Sequence, residues 1–178
     1  SEAPQHKVIL TQPIYVGETE VTQAQYEQVM GNNPSQFVST GQKKDVINNL
    51  RTGTHSVETV SWNDAAEFCM KLSQQAQLKP SYARVGETIT LLKGTGYRLP
   101  SEAEWEFACR GGTTTRFWSG NDDGGRVTAG WCLDNSDGRT HAAGEWNANP
   151  FGLSDVHGNV WEWVQDYWDA AFYGQFTK

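Results

Sequence analysis

Apolar residues come in short bursts along this chain, and the polar residues at their edges define its elements more sharply than the bursts do. Val8-Ile9-Leu10 and Ile14-Tyr15-Val16 flank Thr11-Gln12-Pro13, which predicts two short strands around a turn or edge proline. Thr22 stands three residues before Gln25, with Val21 and Tyr26 as an apolar pair across the start: a capping box with a hydrophobic staple. The helix it opens should reach about Met30 and end at Gly31-Asn32-Asn33-Pro34.

A second helix is predicted after Ser61, a cap followed at the third residue by Asp64, with Trp62, Ala65, Ala66, Cys69 and Leu72 on one face. Cys69 is therefore read as a packing residue and not a nucleophile. Residues 73–95 are polar and contain glycine, so they read as an excursion from the core with an edge strand at 88–92. Ser101 and Glu104 repeat the capping box, and their helix carries Trp105 and Cys109 on one face before Arg110-Gly111-Gly112 stops it. Residues 113–148 are expected to be irregular and pinned by Phe117, Trp118, Trp131 and Trp146. Val160, Glu162 and Val164 then alternate with Trp161 and Trp163, which predicts a strand with both indoles facing the core; with Trp105 they are the expected anchors. The helix starts share a grammar but no sequence, so there is no internal repeat.

The 178 residues suit a single domain, 1–178, able to bury a core of its own. Lys and Arg total 14 against 21 Asp and Glu, and the net charge of -7 argues against nucleic acid or an anionic membrane as partner. Eight Trp, six Tyr and seven Phe beside 18 Gly suggest a loop-rich fold cored with large flat side chains. No run approaches the roughly 18 apolar residues of a membrane span. Ser1-Glu2-Ala3-Pro4 lacks the parts of a signal peptide, as a mature exported protein also would, and a periplasmic or secreted setting is the favoured expectation. Cys69, Cys109 and Cys132 are odd in number and lack CxxC spacing, which disfavours a zinc knuckle and leaves at least one thiol unpaired within the chain.

Candidate chemistry concentrates in 149–167, where Pro150-Phe151-Gly152 and His157-Gly158-Asn159 are turn sequences. The carboxylates of Asp155 and Glu162, with the carbonyls of Gly158 and Val160, form the mixed oxygen set that Ca²⁺ accepts, at a spacing unlike the EF-hand. The alternative is that Asp155 caps a turn and Glu162 lies on a solvated face. Elsewhere, His141, His157 and Cys132 lack the spacing of a structural zinc site. Ser101 has no Gly-x-Ser-x-Gly flank, and Gly111-Gly112 follows a helix where a phosphate loop would precede one.

Five motifs in order resemble the formylglycine-generating enzyme (sulfatase-modifying factor) family: Glu20-Val21-Thr22-Gln23-Ala24-Gln25-Tyr26, Gly31-Asn32-Asn33-Pro34-Ser35, 57–65, Tyr97-Arg98-Leu99-Pro100-Ser101-Glu102 with Trp105, and 151–163. The resemblance implies an α+β, C-type-lectin-like fold with little regular secondary structure. It also implies a structural calcium held at the positions of Asp155, Gly158, Val160 and Glu162; a second family calcium site has Asn where this sequence has Gly130.

Family enzymes oxidise a cysteine of a target protein to formylglycine, which activates sulfatases, using O₂ and copper held by two cysteines of a C-terminal third. This sequence reaches Lys178 without that pair, so no catalytic residue is assigned and copper is expected only if the C-terminal cysteines are supplied. Cys69 and Cys109 match structural cysteines that form disulfides with that third in some members. The implied partners are the C-terminal segment of the same domain, in the same protein or as a separate chain, and a protein or peptide substrate. Phe176-Thr177-Lys178 reads as the end left by cleavage after a lysine. The resemblance therefore implies that this chain is part of such an enzyme, oxidising a target cysteine when completed by its C-terminal segment; the alternative function is a non-catalytic binding, display or cofactor-maturation module on the same calcium-stabilised scaffold.

Overall fold

The computed structural model describes residues 8–167, apart from the side chains of residues 123 and 126; Phe176-Thr177-Lys178 lie outside it. The elements are α1 (Gln23–Met30), α2 (Lys44–Ile47), α3 (Trp62–Gln75), β1 (Tyr82–Val85), β2 (Thr88–Leu91), α4 (Glu102–Arg110) and α5 (Asp123–Ala129). Each predicted helix starts where its cap stands. Thr22 Oγ1 accepts the Gln25 amide at 3.3 Å while Gln25 Oε1 accepts the Thr22 amide at 2.9 Å, and Gly31 ends α1 at φ 84°. Ser101 and Glu104 repeat this at α4, and Ser61 caps α3 by accepting the Asp64 amide. Among the described residues no helix is long and apolar enough to cross a membrane.

The core gathers on α3. Its Ala66, Phe68 and Cys69 pack with Tyr26 of α1, stacked on Phe68 at 5.5 Å between centroids, and with Tyr82 of β1. Tyr82 is 1% exposed, which overturns the reading of 73–95 as an excursion from the core. Polar Arg84 hid this: it packs back onto α3 through ion pairs with Asp64 at 3.0 Å and Glu67 at 2.7 Å. The expected strand at 88–92 forms as β2, antiparallel to β1, with Tyr82 opposite Leu91.

Two strand predictions fail. Residues 8–16 carry no strand, and Ile9 and Tyr15 are exposed. Residues 160–164 are irregular, with Trp161 fully exposed and Trp163 half exposed, so neither indole is a core anchor. Backbone partners outside any ladder hold this segment. The Val160 amide donates to Glu20 and the Gln165 amide to the Pro100 carbonyl, while two indoles exchange bonds across it: Trp62 Nε1 to Val164 O and Trp163 Nε1 to Val60 O, each 2.8 Å. Trp105 is partly buried and outside the core cluster. Helix α5 arises in the stretch expected to be irregular; it starts on Asp122, which accepts the Gly125 amide at 2.7 Å, and contains two helix-disfavouring glycines.

Arg98 grips Glu104 with both guanidinium nitrogens, each at 2.7 Å. That hydrogen-bonded pairing holds the Glu104 carboxyl down at about 2, against 4.5 when unfolded. A depressed carboxylate contributes stability above its unfolded pKa and loses it as pH falls from about 4.5 towards 2. With Arg98 partly in solvent, the contribution is about 1–2 kcal/mol. Urea unfolding at pH 6 and pH 3 should show the parent chain losing about that much more stability than Glu104→Gln; equal losses would mean that the pair contributes nothing.

Candidate functional site

The end of α4 is fastened to a turn well beyond α5 by one asparagine. Asn149 is buried; its Nδ2 donates to the Ala108 and Cys109 carbonyls at 2.7 and 3.1 Å, and its Oδ1 accepts the Phe151 and Leu153 amides at 2.9 and 3.1 Å. Gly111 ends α4 at φ 57°, and a Cβ there would press against Pro150 and this amide. The C-terminus of α4 and the turn at 149–153 are thereby joined.

Beyond Leu153 the backbone bends at Asp155 (φ 63°) and Asn159 (φ 65°), two of the residue types that tolerate the left-handed region. Gly158 between them is forced: a Cβ would collide with the Trp131 carbonyl, and the Asn159 amide donates to that oxygen at 2.8 Å. Asn159 also donates through Nδ2 to Glu20 Oε2 (2.9 Å), Ser56 Oγ (2.8 Å) and the His141 carbonyl, and accepts the His141 amide.

Three carboxylates meet around this loop. Asp155 is 1% exposed; its Oδ2 accepts the Gly144 amide at 2.6 Å, while buried Oδ1 has no partner. Glu20 accepts the Val160 amide at 3.2 Å on Oε1, and Asn159 with the Ser56 hydroxyl on Oε2. Burial pushes Glu20 up to about 8 against its Ser56 bond, and the neighbouring Glu162 and Asp155 push the same way. Burial also raises Asp155 and Glu162. Glu162 is exposed as a residue, but its carboxyl takes a hydrogen bond from Trp105 and is crowded enough to be held up. Among the described residues no Lys or Arg pairs with any of the three. Negative groups brought together away from water without a counter-charge are costly unless protonated or bound to a cation.

The thiols tell a different story. The Trp118 amide donates to His157 Nε2 at 3.0 Å, so the ring proton sits on Nδ1, 3.5 Å from Cys109 Sγ, and the thiol faces the Val156 carbonyl at 3.2 Å. Burial drives Cys109 up to about 12 and His157 down. With Nδ1 already protonated, this histidine cannot receive the thiol proton, so the pair is packing and not an activated nucleophile. Cys69 is pushed up to about 12 by burial in the core, and Cys132 lies part-exposed in a loop; all three are free. His141 instead stacks on Trp131 at 3.6 Å and bonds the Ser136 carbonyl, so the structure does not bring His141, His157 and Cys132 into one cluster.

The sulfatase-modifying factor enzyme 1-like domain profile matches residues 1–176. The chain belongs to the sulfatase-modifying factor family. It is 31% identical over 194 residues to chaperone protein LppX of Paenibacillus barcinonensis, covering 90% of this chain and 65% of LppX. It is 41% identical over 89 residues to the formylglycine-generating enzyme of Mycobacterium tuberculosis, covering 44% of this chain and 30% of the enzyme. Treponema denticola variable protein 1 superposes with a TM-score of 0.75 at 35% identity, over 86% of this chain and 62% of that protein. The chain thus spans less than two thirds of each relative's length. The fold is that of the formylglycine-generating enzymes, mixed helix and strand with little regular structure, as the sequence implied. The relatives include enzymes, a chaperone and a variable protein, so family membership does not assign catalysis.

Glu20, Ser56 and Asn159 were not legible as site residues. Glu20 carried signal as the first residue of a family motif, and Asn159 as a turn former, but nothing local announces that residues 139 positions apart share a bond.

Proposed function

We propose that this chain is a calcium-braced scaffold of the formylglycine-generating type that holds a protein or peptide client and supplies no redox thiol of its own. The observation that carries the reading is the state of the thiols: Cys69 and Cys109 are buried and held protonated in separate surroundings, and no cysteine is paired. Copper bound by two thiolates does not fit this set.

Calcium does fit. The orphaned, buried Asp155 Oδ1 and the uncompensated carboxylates are the environment a hard divalent ion relieves. Among the described residues no three His, Cys, Asp or Glu side chains suffice to hold a metal, so the carbonyls of Gly158 and Val160 would join Asp155 and Glu162 as ligands. The ion's chemistry is structural: it neutralises the acids and fixes the loop. Exposed Trp161, Trp163 and Tyr167 form the surface on which the remainder of a family domain, or a separate chain supplying it, would pack.

A second reading, oxygen-dependent oxidation of a client cysteine once a C-terminal segment is added, is favoured by the match to formylglycine-generating enzymes. Mass spectrometry of a cysteine peptide incubated with this chain, Ca²⁺, copper and O₂ separates the two. No loss of thiol is expected from the chain alone; aldehyde formation would overturn the scaffold reading, and activity appearing only with an added cysteine-bearing segment would establish the second.

A further inference from the structure

We propose that Glu20 is a positioning residue of the cation loop, holding the 159–160 peptide from a segment distant in sequence and supplying a third negative charge to the ion-bound form. This rests on the calcium reading above. The Glu20 carboxylate reaches the loop twice, at the Val160 amide (3.2 Å) and the Asn159 side chain (2.9 Å), and the Ser56 hydroxyl donates to the same oxygen as Asn159. Orientation follows from peptide planarity. In a trans peptide the Gly158 carbonyl points opposite the Asn159 N–H, which is fixed on Trp131, and Glu20 fixes the next peptide through the Val160 N–H. Trp131 thus sets the plane that carries the Gly158 carbonyl and Glu20 sets the plane after it, so the turn between Gly158 and Val160 is held from two sides before any ion arrives.

Outer partners of this kind alter metal affinity by about 10–100-fold when removed. Charge adds a signature that mere fold maintenance lacks. The Coulomb term scales with the ion's charge, so loss of one negative charge weakens a trivalent ion more than a divalent one.

The test titrates the whole chain with Ca²⁺ by calorimetry and with Tb³⁺ by tryptophan-sensitised luminescence. Glu20→Gln should weaken Ca²⁺ binding by about tenfold or more and lower the Tb³⁺:Ca²⁺ affinity ratio by roughly threefold. Glu20→Asp keeps the charge but shortens the reach, so both affinities should fall while the ratio stays within about twofold. It also serves if Glu20→Gln does not fold. Binding of both ions within twofold of the parent in either variant overturns the proposal, as does a loss in Glu20→Gln that leaves the ratio unchanged. A parent chain that binds neither ion sinks the calcium reading and this inference together, whereas a binding parent with unaffected variants sinks this inference alone.

Discussion

Calcium added to the metal-free chain should raise its thermal unfolding midpoint by roughly 10 °C, and EDTA should return it. An ion bound only by the folded state at 100 to 1,000 times its dissociation constant stabilises by about 3–4 kcal/mol. The physical source is the relief of Asp155, Glu162 and Glu20, whose carboxyls are all held up by burial without a Lys or Arg partner among the described residues. Asp155→Ala removes the carboxylate that the calcium proposal makes a ligand, so scanning calorimetry of this variant should show no calcium-dependent shift. Identical midpoints for the parent in calcium and in EDTA would remove the ion from the account.

The second large effect belongs to Asn149. Truncation to alanine leaves the Cys109 carbonyl and two loop amides without their partner at once, and the Ala108 carbonyl with only the Gly111 amide. Each such loss is worth about 1 kcal/mol and more where the group stays dry, so Asn149→Ala should cost on the order of 3–5 kcal/mol. Asn149→Asp is the informative control: it still accepts the Phe151 and Leu153 amides, but as a carboxylate it turns a buried negative charge on the Ala108 and Cys109 carbonyls, so at pH 7 it should cost at least as much as alanine and recover part of the loss in acid, where the protonated group can donate. If urea unfolding placed Asn149→Ala within about 1 kcal/mol of the parent, the amide would not be the fastening described.

Local grammar was readable wherever a side chain answers the backbone within a few residues. Thr22, Ser61 and Ser101 announced their helices because cap and third residue are adjacent in sequence, and the periodic face of α3 announced Cys69 as core. The alternation at 160–164 misled because it encodes where side chains point only if a neighbouring strand exists; here the segment's hydrogen bonds go to Glu20, Pro100 and two indoles instead. Tyr82 was hidden for the opposite reason, since a charged neighbour made a core strand look like loop. The carboxylates Asp155 and Glu162 stood out as oxygen donors in one run and were assigned to a calcium site through the family resemblance, whereas Glu20 joins them only through tertiary contact.

The exchange of indole bonds between Trp62 and Trp163 also constrains biosynthesis. Each bond spans about a hundred positions, with |i−j| of 102 and 103, and the Glu20 contact to Val160 spans 140. A chain emerging from the ribosome can therefore cap α1, α3 and α4 as it appears, but it cannot latch them until residue 165 has left the exit tunnel. Until then the half-made protein displays its aromatic face to the surroundings, a window in which a holding chaperone would engage it.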